Sequence, residues 1–315
     1  MSIEDLFAAI RTAIDAGVVI AFAGSGELLA ERVGVLNLGQ EGLIGIGAVT
    51  AVLAADAGAG PWVAFVVGMA AAGLMGFLFA VSVVVIRTNQ VLTGLAVVLT
   101  GVGLSNQIGN GFQGSPVMHT FETLRIPFLA DIPQLGPALF NHSPPVYLCY
   151  IALPVVVWFL LFRTRHGMNL RAVGQDPAAA DAAGINVTGI RLAYTTIGSA
   201  LSGAGGAFLM LDLTPVWSVN VARSRGWVAL ALVIFAAWRP ALLVVGAFLF
   251  GALDSLNFLI QRLNLGIPSS LLKMMPYIVT LALIIVPAVL TRFGFKGRST
   301  VAPGALAQPY FREER

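Results

Sequence analysis

The stretch from Arg163 to Arg191, RTRHGMNLRAVGQDPAAADAAGINVTGIR, is polar, begins and ends in arginine, and separates two charge-free apolar runs, 146–162 and 192–211. Each run approaches the roughly 20 residues that carry a helix across the hydrocarbon core. Arginine beside a membrane span marks the cytosolic side, so this loop faces the cytosol. Within it, Asp176-Pro177 sets a preferred N-cap before a proline in the first helical position, where the missing N–H costs nothing. The alanines that follow propagate a helix, and Gly184 ends it. These two turns carry small side chains, a shape suited to a groove on a partner. A helix lying on the bilayer surface calls for large apolar residues instead.

Composition sets the same class. The chain is 57% hydrophobic and 10% charged, against a usual charged share of roughly a quarter, too few charges to cover a soluble surface. The expected fold is therefore all-α and polytopic. Its 35 glycines suit helices that pack closely in lipid, where small residues let backbones approach. Strand-like alternation is missing, which argues against a β-barrel. The net charge of +3 does not point to nucleic acid, because the basic residues sit mostly at span ends. Cys149, the single cysteine, excludes an internal disulfide or a cysteine metal site. The opening MSIEDLFAAIRTAID lacks the basic start of a signal peptide.

Clear spans are expected at 61–86, 91–110, 146–162, 192–211 and 274–291, with less regular ones at 7–30, 37–55 and 226–261. The last is interrupted at Trp238-Arg239-Pro240, and its first half is short for a full crossing, which suggests a partial span. The total is eight or nine membrane segments, some broken. Residues 1–291 then form one polytopic membrane domain, with a cytosolic loop at 163–191, an external loop at 111–145 and a cytosolic tail at 292–315. Arg223 and Arg225 fall on the outer side by this count, against the charge rule, and the amino terminus falls outside as well. A faint echo links Pro61…Gly68…Gly73 to Pro240…Gly246…Gly251, as in transporters with internal repeats.

Polar residues inside spans face the bundle or a water-filled path. Three groups stand out. Asn37, Gln40 and Glu41 open a span; the carboxylate either caps a helix start or meets a substrate. Asn106 and Asn110 share a helical face and either line a path or bond helices together. Asp254, Asn257 and Gln261 form a stripe that is either a hydrated wall or the site of an interhelical salt bridge. The translocation-path candidates are thus Asn37, Gln40, Glu41, Asn106, Asn110, Asp254 and Asn257. Glu41 and Asp254 are the carboxylates on which an ion- or proton-coupled carrier would rest.

Catalytic patterns are missing. There is no GxxxxGK[ST] phosphate loop, no GxSxG elbow, and His119, His142 and His166 lack metal-ligand spacing. A membrane-embedded hydrolase therefore has no constellation to rest on; the chain is not expected to be an enzyme or to hold a cofactor of its own.

Several segments resemble one family. The run from Gly167 to Ile185, GMNLRAVGQDPAAADAAGI, resembles the coupling-helix segment of ABC transporter permeases of the branched-chain amino acid, ribose and nucleoside importer group. ERVGVLNLGQEG at 31–42 and TNQVLTGLA at 88–96 resemble its other shared segments. RGWVALALVIF at 225–235, Trp238-Arg239-Pro240 and MPYIVT at 275–280 are most similar to the simple-sugar and nucleoside permeases. The Glu-Ala-Ala loop signature of other importers is only echoed, at 181–184. The resemblance runs from about residue 27 to 291. It implies a multi-pass protein of a bacterial or archaeal inner membrane that imports a small polar solute. A nucleoside or related purine compound comes first, then simple sugars, then branched-chain amino acids. It also implies a cytosolic ATPase holding ATP and Mg, a second permease subunit of the same or a related chain, an external solute-binding protein and surrounding membrane lipid. The residues it places at the ATPase are Arg171, Gly174, Asp176, Pro177, Ala180, Asp181 and Gly184.

Overall fold

The computed structural model describes residues 3–133, 135–262 and 302–311, with scattered positions between 271 and 289. The chain is mostly helical: α1 (Ile3–Arg32), α2 (Gln40–Asp56), α3 (Pro61–Ala80), α4 (Gln90–Gly109), α5 (Leu135–Leu139), α6 (Pro144–Tyr147), α7 (Leu153–Arg163), α8 (Arg165–Gln175), α9 (Pro177–Ala182), α10 (Val187–Phe208), α11 (Arg225–Phe235) and α12 (Pro240–Arg262). Among the described residues, five helical stretches are long and apolar enough to cross a membrane: Leu6–Arg32, Pro61–Val85, Gln90–Phe112, Pro144–Arg163 and Val187–Leu213. The expected eight or nine segments, some of them partial, are not confirmed by this count; α2 has 17 residues and α11 has 11. Most of the expected span at 274–291 lies outside the described residues.

Three of the long stretches contain a π-helical turn: Val81–Val85, Leu148–Ala152 and Leu209–Leu213. Such turns let a helix shift register without losing its backbone bonds. The loop at 111–145 carries a two-residue antiparallel pair of β1 (Leu124–Arg125) and β2 (Asn141–His142), and isolated bridges join Gln113 to Trp217 and Pro116 to Val216. That loop is tied to the segment after α10 by Val117 N to Pro215 O at 2.8 Å and Phe121 N to Leu211 O at 2.9 Å.

Arg163 and Arg165 flank the junction of α7 and α8. The same end of the bundle gathers Arg32, Arg87, Arg171 and Arg191, as their contacts with Phe162, Phe311 and Gln308 place them. By contrast Arg225, which broke the charge rule when read as a loop residue, sits within the bundle beside Asp254, at 3.6 Å.

The helices form an inverted repeat. In both α1–α2–α3 and α10–α11–α12 a long helix is followed by a shorter one and then by a helix opened by proline, Pro61 or Pro240. α1 runs toward the α8–α9 end while α10 runs away from it, and α3 and α12 are likewise opposed. The packing partners exchange accordingly: α1 packs on α12 as α10 packs on α3. Where α1 crosses α10, Gly26 faces the Gly198 backbone and Gly198 faces the Gly26 backbone, so a methyl on either would collide with the other helix. This reciprocity is that of a pseudo-two-fold axis in the membrane plane. It gives the proline–glycine echo in the sequence a structural basis.

Candidate functional site

The axis passes near the start of α2, and both short helices begin there, inside the bundle. Gly42 packs against Val97, Val98 and Gly101 of α4. That is seven to eleven residues from the start of α4, or about 10–16 Å at 1.5 Å per residue. The amino end of α11 meets this point. Gly226 lies against the Gln40 and Glu41 backbone so closely that a Cβ would overlap it.

Two free helix starts in a low-dielectric interior leave N–H groups that need acceptors. Glu41 supplies them for α11: its Oε1 accepts from Ser224 N at 2.7 Å and its Oε2 from Gly226 N at 2.9 Å. The carboxylate thus caps a helix, as one sequence reading held, but the helix is α11, far along the chain. Asn220, Arg223 and Ser224 all have positive φ, at 54°, 47° and 67°. Strained backbone of this kind persists only where surrounding structure holds it, and it gathers at functional sites. A cavity of about 250 Å³ opens here, lined by Glu41, Gly45, Ser105, Asn220, Arg223 and Ser224 among others.

Asn106 belongs to the same place. Its Nδ2 donates to Asn220 Oδ1 at 2.8 Å and its Oδ1 accepts from Asn220 N at 2.9 Å. Asp254 reaches it through Arg225, so an interhelical ion pair is realised. Asn110 is exposed in the turn Asn110–Phe112, away from this pairing. The side chain of Asn257 lies outside the described residues.

Asn37 and Gln40 are placed differently, in a sealed network with no exposed surface. Glu27 Oε1 accepts from Asn37 N at 2.9 Å and Glu27 Oε2 from Gln40 Nε2 at 2.5 Å. Asn37 Nδ2 donates to Ser199 Oγ at 3.2 Å, and Ser202 Oγ donates to Gln40 Oε1. Their polar atoms are consumed in fixing the 33–39 turn between α1 and α10, so they present nothing to a solute. Glu27 and Glu31, both buried, were not among the carboxylates picked from sequence. Glu31 accepts from the Trp238 indole N–H at 2.5 Å, and Arg32 donates to Trp238 O at 2.6 Å, which anchors the far end of α11. The signal for this pair was Glu27 and Glu31 standing i, i+4 on one face of an apolar helix.

At the α8–α9 end the expected short helix is present with both caps. Asp176 Oδ1 accepts from Ala179 N at 2.9 Å and Pro177 opens the helix. Gly184 has φ +81°, with Gly184 N bonded to Asp181 O at 2.9 Å and Ile185 N to Ala180 O at 3.0 Å, a Schellman closure. A second helix, α8, precedes it, where the sequence reading had only loop. Thr164 caps α8 by accepting from Gly167 N at 2.9 Å, and Gly167, Leu170, Val173 and Gly174 form its buried face. Of the residues assigned to coupling, Asp176 and Gly184 are exposed and Pro177 is half-buried. Ala180 is buried at 3% exposure, and Gly174 packs on Arg32 O, so both face the bundle. Arg171 lies over the Phe162 ring at 5.2 Å, and Asp181 accepts from the Tyr310 hydroxyl at 2.9 Å. The open face of α9 is Ala178, Ala179 and Ala182, continued by Ala183.

Known proteins share this plan. Residues 10–286 match the family model described as the permease component of the branched-chain amino acid transport system. A protein of Haloferax volcanii named as a glucose ABC transporter permease, TsgC13, is 34% identical over 96% of this chain and 97% of its own. The guanosine ABC transporter permease protein NupQ of Bacillus subtilis is 33% identical over 92% of each chain. The nucleoside ABC transporter permease protein NupC of Lactococcus lactis is 31% identical over 83% of this chain and 86% of its own. Among solved structures, one described as a metal-chelate-type ABC transporter in an inward-facing conformation aligns with a TM-score of 0.52 at 16% identity. It covers 89% of this chain and 85% of that one, and shows a shared fold. The chain therefore belongs to the branched-chain amino acid transport permease family, and it is the membrane-embedded transport subunit of an ABC transporter, not an enzyme.

Proposed function

We propose that this permease imports a nucleoside or related purine compound through the cavity beside Glu41, driven by an ATPase that grips α9. The observation that carries the reading is the junction of α2 and α11, where strained backbone, a shared carboxylate and a polar cavity of about 250 Å³ coincide. Half-helix starts of this kind form solute sites in other transporters. The polar residues that line the cavity, Glu41, Ser105, Asn220, Arg223 and Ser224, suit the hydroxyls of a ribose and the edges of a base. Guanosine and nucleoside permeases among its relatives support that substrate class.

The partners follow from the same reading. A cytosolic subunit binds ATP and Mg, an external binding protein delivers the solute, and a second permease chain, identical or related, completes the pore in a bacterial or archaeal plasma membrane. Closing of the ATPases moves α9 and switches the access of the pore. Simple sugars are the second reading, favoured by the similarity to TsgC13. Branched-chain amino acids and an ion-coupled carrier rank below, since Glu41 and Asp254 are engaged with Ser224, Gly226 and Arg225. Uptake of labelled guanosine into cells expressing the full transporter, competed by glucose or by leucine, tests this. Competition by glucose and not by unlabelled guanosine would overturn the nucleoside assignment.

A further inference from the structure

Residues 302–311 form no regular helix or strand, yet they are fastened to five parts of the α8–α9 end. Ala305 N donates to Gly174 O at 3.0 Å and Gly304 N to Gln175 Oε1 at 3.4 Å, which ties them to α8. Ala307 N donates to Gly34 O at 3.2 Å, in the turn after α1. Arg191 of α10 donates from Nη1 to Gln308 O at 3.2 Å and from Nε to Val33 O at 3.1 Å, joining the segment and that turn through one buried guanidinium. Tyr310 donates to Asp181 of α9 at 2.9 Å, and the Arg87 guanidinium lies 4.9 Å from the centre of the Phe311 ring. Ala305 is buried, and Pro303 and Pro309 restrict the chain, which lowers the entropy lost on docking.

A six-residue helix is too short to be stiff by itself. α9 touches the bundle through Ala180 on one side, while its other face is open. A helix that passes a push to the bundle has to move with the elements it drives. The segment 302–311 joins α9 to the ends of α1 and α10, the two helices that cross at Gly26 and Gly198. We propose that residues 302–311 are a strap that holds α9 in register with α1 and α10 throughout transport, with Tyr310 as the positioning residue. This rests on α9 being the helix through which the ATPase acts.

The test has one arm that needs no partner. In a Cys149→Ala chain reconstituted in lipid nanodiscs, a nitroxide at Ala179→Cys reports the mobility of α9. Removal of residues 302–315, or Tyr310→Phe, raises that mobility at least twofold; unchanged mobility in both overturns the proposal. In the assembled transporter, solute imported per ATP hydrolysed falls at least threefold in both variants while the complex still assembles; an unchanged ratio overturns the positioning role. A disulfide between Gln175→Cys and Gly304→Cys leaves import at the wild-type rate, whereas arrest on cross-linking, reversed by reductant, overturns a strap that stays docked. If the full-length transporter shows no ATP-driven import, the α9 reading fails, and the mobility measurement still decides whether the strap stiffens α9.

Discussion

Glu41 on α2 holds the amino end of α11 through the amides of Ser224 and Gly226, at 2.7 and 2.9 Å, across 183 and 185 residues of sequence. One carboxylate thereby fastens two short helices, one from each half of the inverted repeat, at the point where their positive ends converge.

Glu41→Ala is expected to destabilise the protein by about 2 kcal/mol or more, since two buried amides lose a charged acceptor. Glu41→Gln, which keeps one acceptor, is expected to cost about half as much. Thermal unfolding in detergent gives the order wild type, Gln, Ala; equal midpoints for all three would show that the cap carries no weight. Both variants are also expected to slow uptake, because the cavity wall moves with α11.

Glycine substitutions separate crowding from propensity. At Gly226 and Gly26 a methyl would run into backbone of a neighbouring helix, whereas at Gly103, in α4, nothing stands within 4 Å. Gly226→Ala and Gly26→Ala are expected to cost roughly 1–3 kcal/mol by overpacking. Gly103→Ala should be neutral or stabilising by up to about 1 kcal/mol. Unfolding midpoints of the three variants check the order directly.

Trp238→Phe removes the indole donor to Glu31 and also shrinks a buried ring, so some packing is lost with the bond. Leaving a buried carboxyl short of a partner is expected to cost about 1–3 kcal/mol. Adding Glu31→Gln to that variant should then cost less than Glu31→Gln does alone, a coupling that a double-mutant cycle measures. Additive effects would mean that the 2.5 Å contact contributes nothing of its own.

The caps of α9 are expected to matter for coupling more than for folding. Gly184→Ala places a methyl on a residue with φ +81°, at a cost of about 1 kcal/mol or a little more. Asp176→Ala loses about 1 kcal/mol at the other end. Insertion and the global melt should stay close to wild type while import per ATP hydrolysed drops several-fold, which paired uptake and phosphate-release assays would show.

What could be read from the sequence was local. Asp176, Pro177 and Gly184 act within one turn of where they stand, so the caps of α9 were legible from spacing alone. The brevity of α11 was legible too, from the break at Trp238-Arg239-Pro240. Its placement was not, because the Glu41 contact joins distant residues and no local pattern announces it. Glu27 stands inside the expected span at 7–30 and Glu31 just past it; both were passed over because the residues that bond them, Asn37, Gln40 and Trp238, lie outside that span. α8 was missed because Gly167 and Gly174 weaken its helical signal, though they are what lets it lie close to Leu160 and Arg32. The tail was expected only as a cytosolic segment, because its contacts with α8 and α9 join residues far apart in sequence and no local pattern announces them.

The most direct measurement is ATP-driven solute uptake by the reconstituted transporter, comparing wild type with Ala179→Trp, which places bulk on the open face of α9 and leaves the buried Ala180 untouched. The expected result is a loss of at least tenfold in uptake with normal insertion, and no uptake by this chain alone under an ion gradient. Wild-type uptake by Ala179→Trp, or gradient-driven uptake by the chain alone, would contradict transport driven through α9.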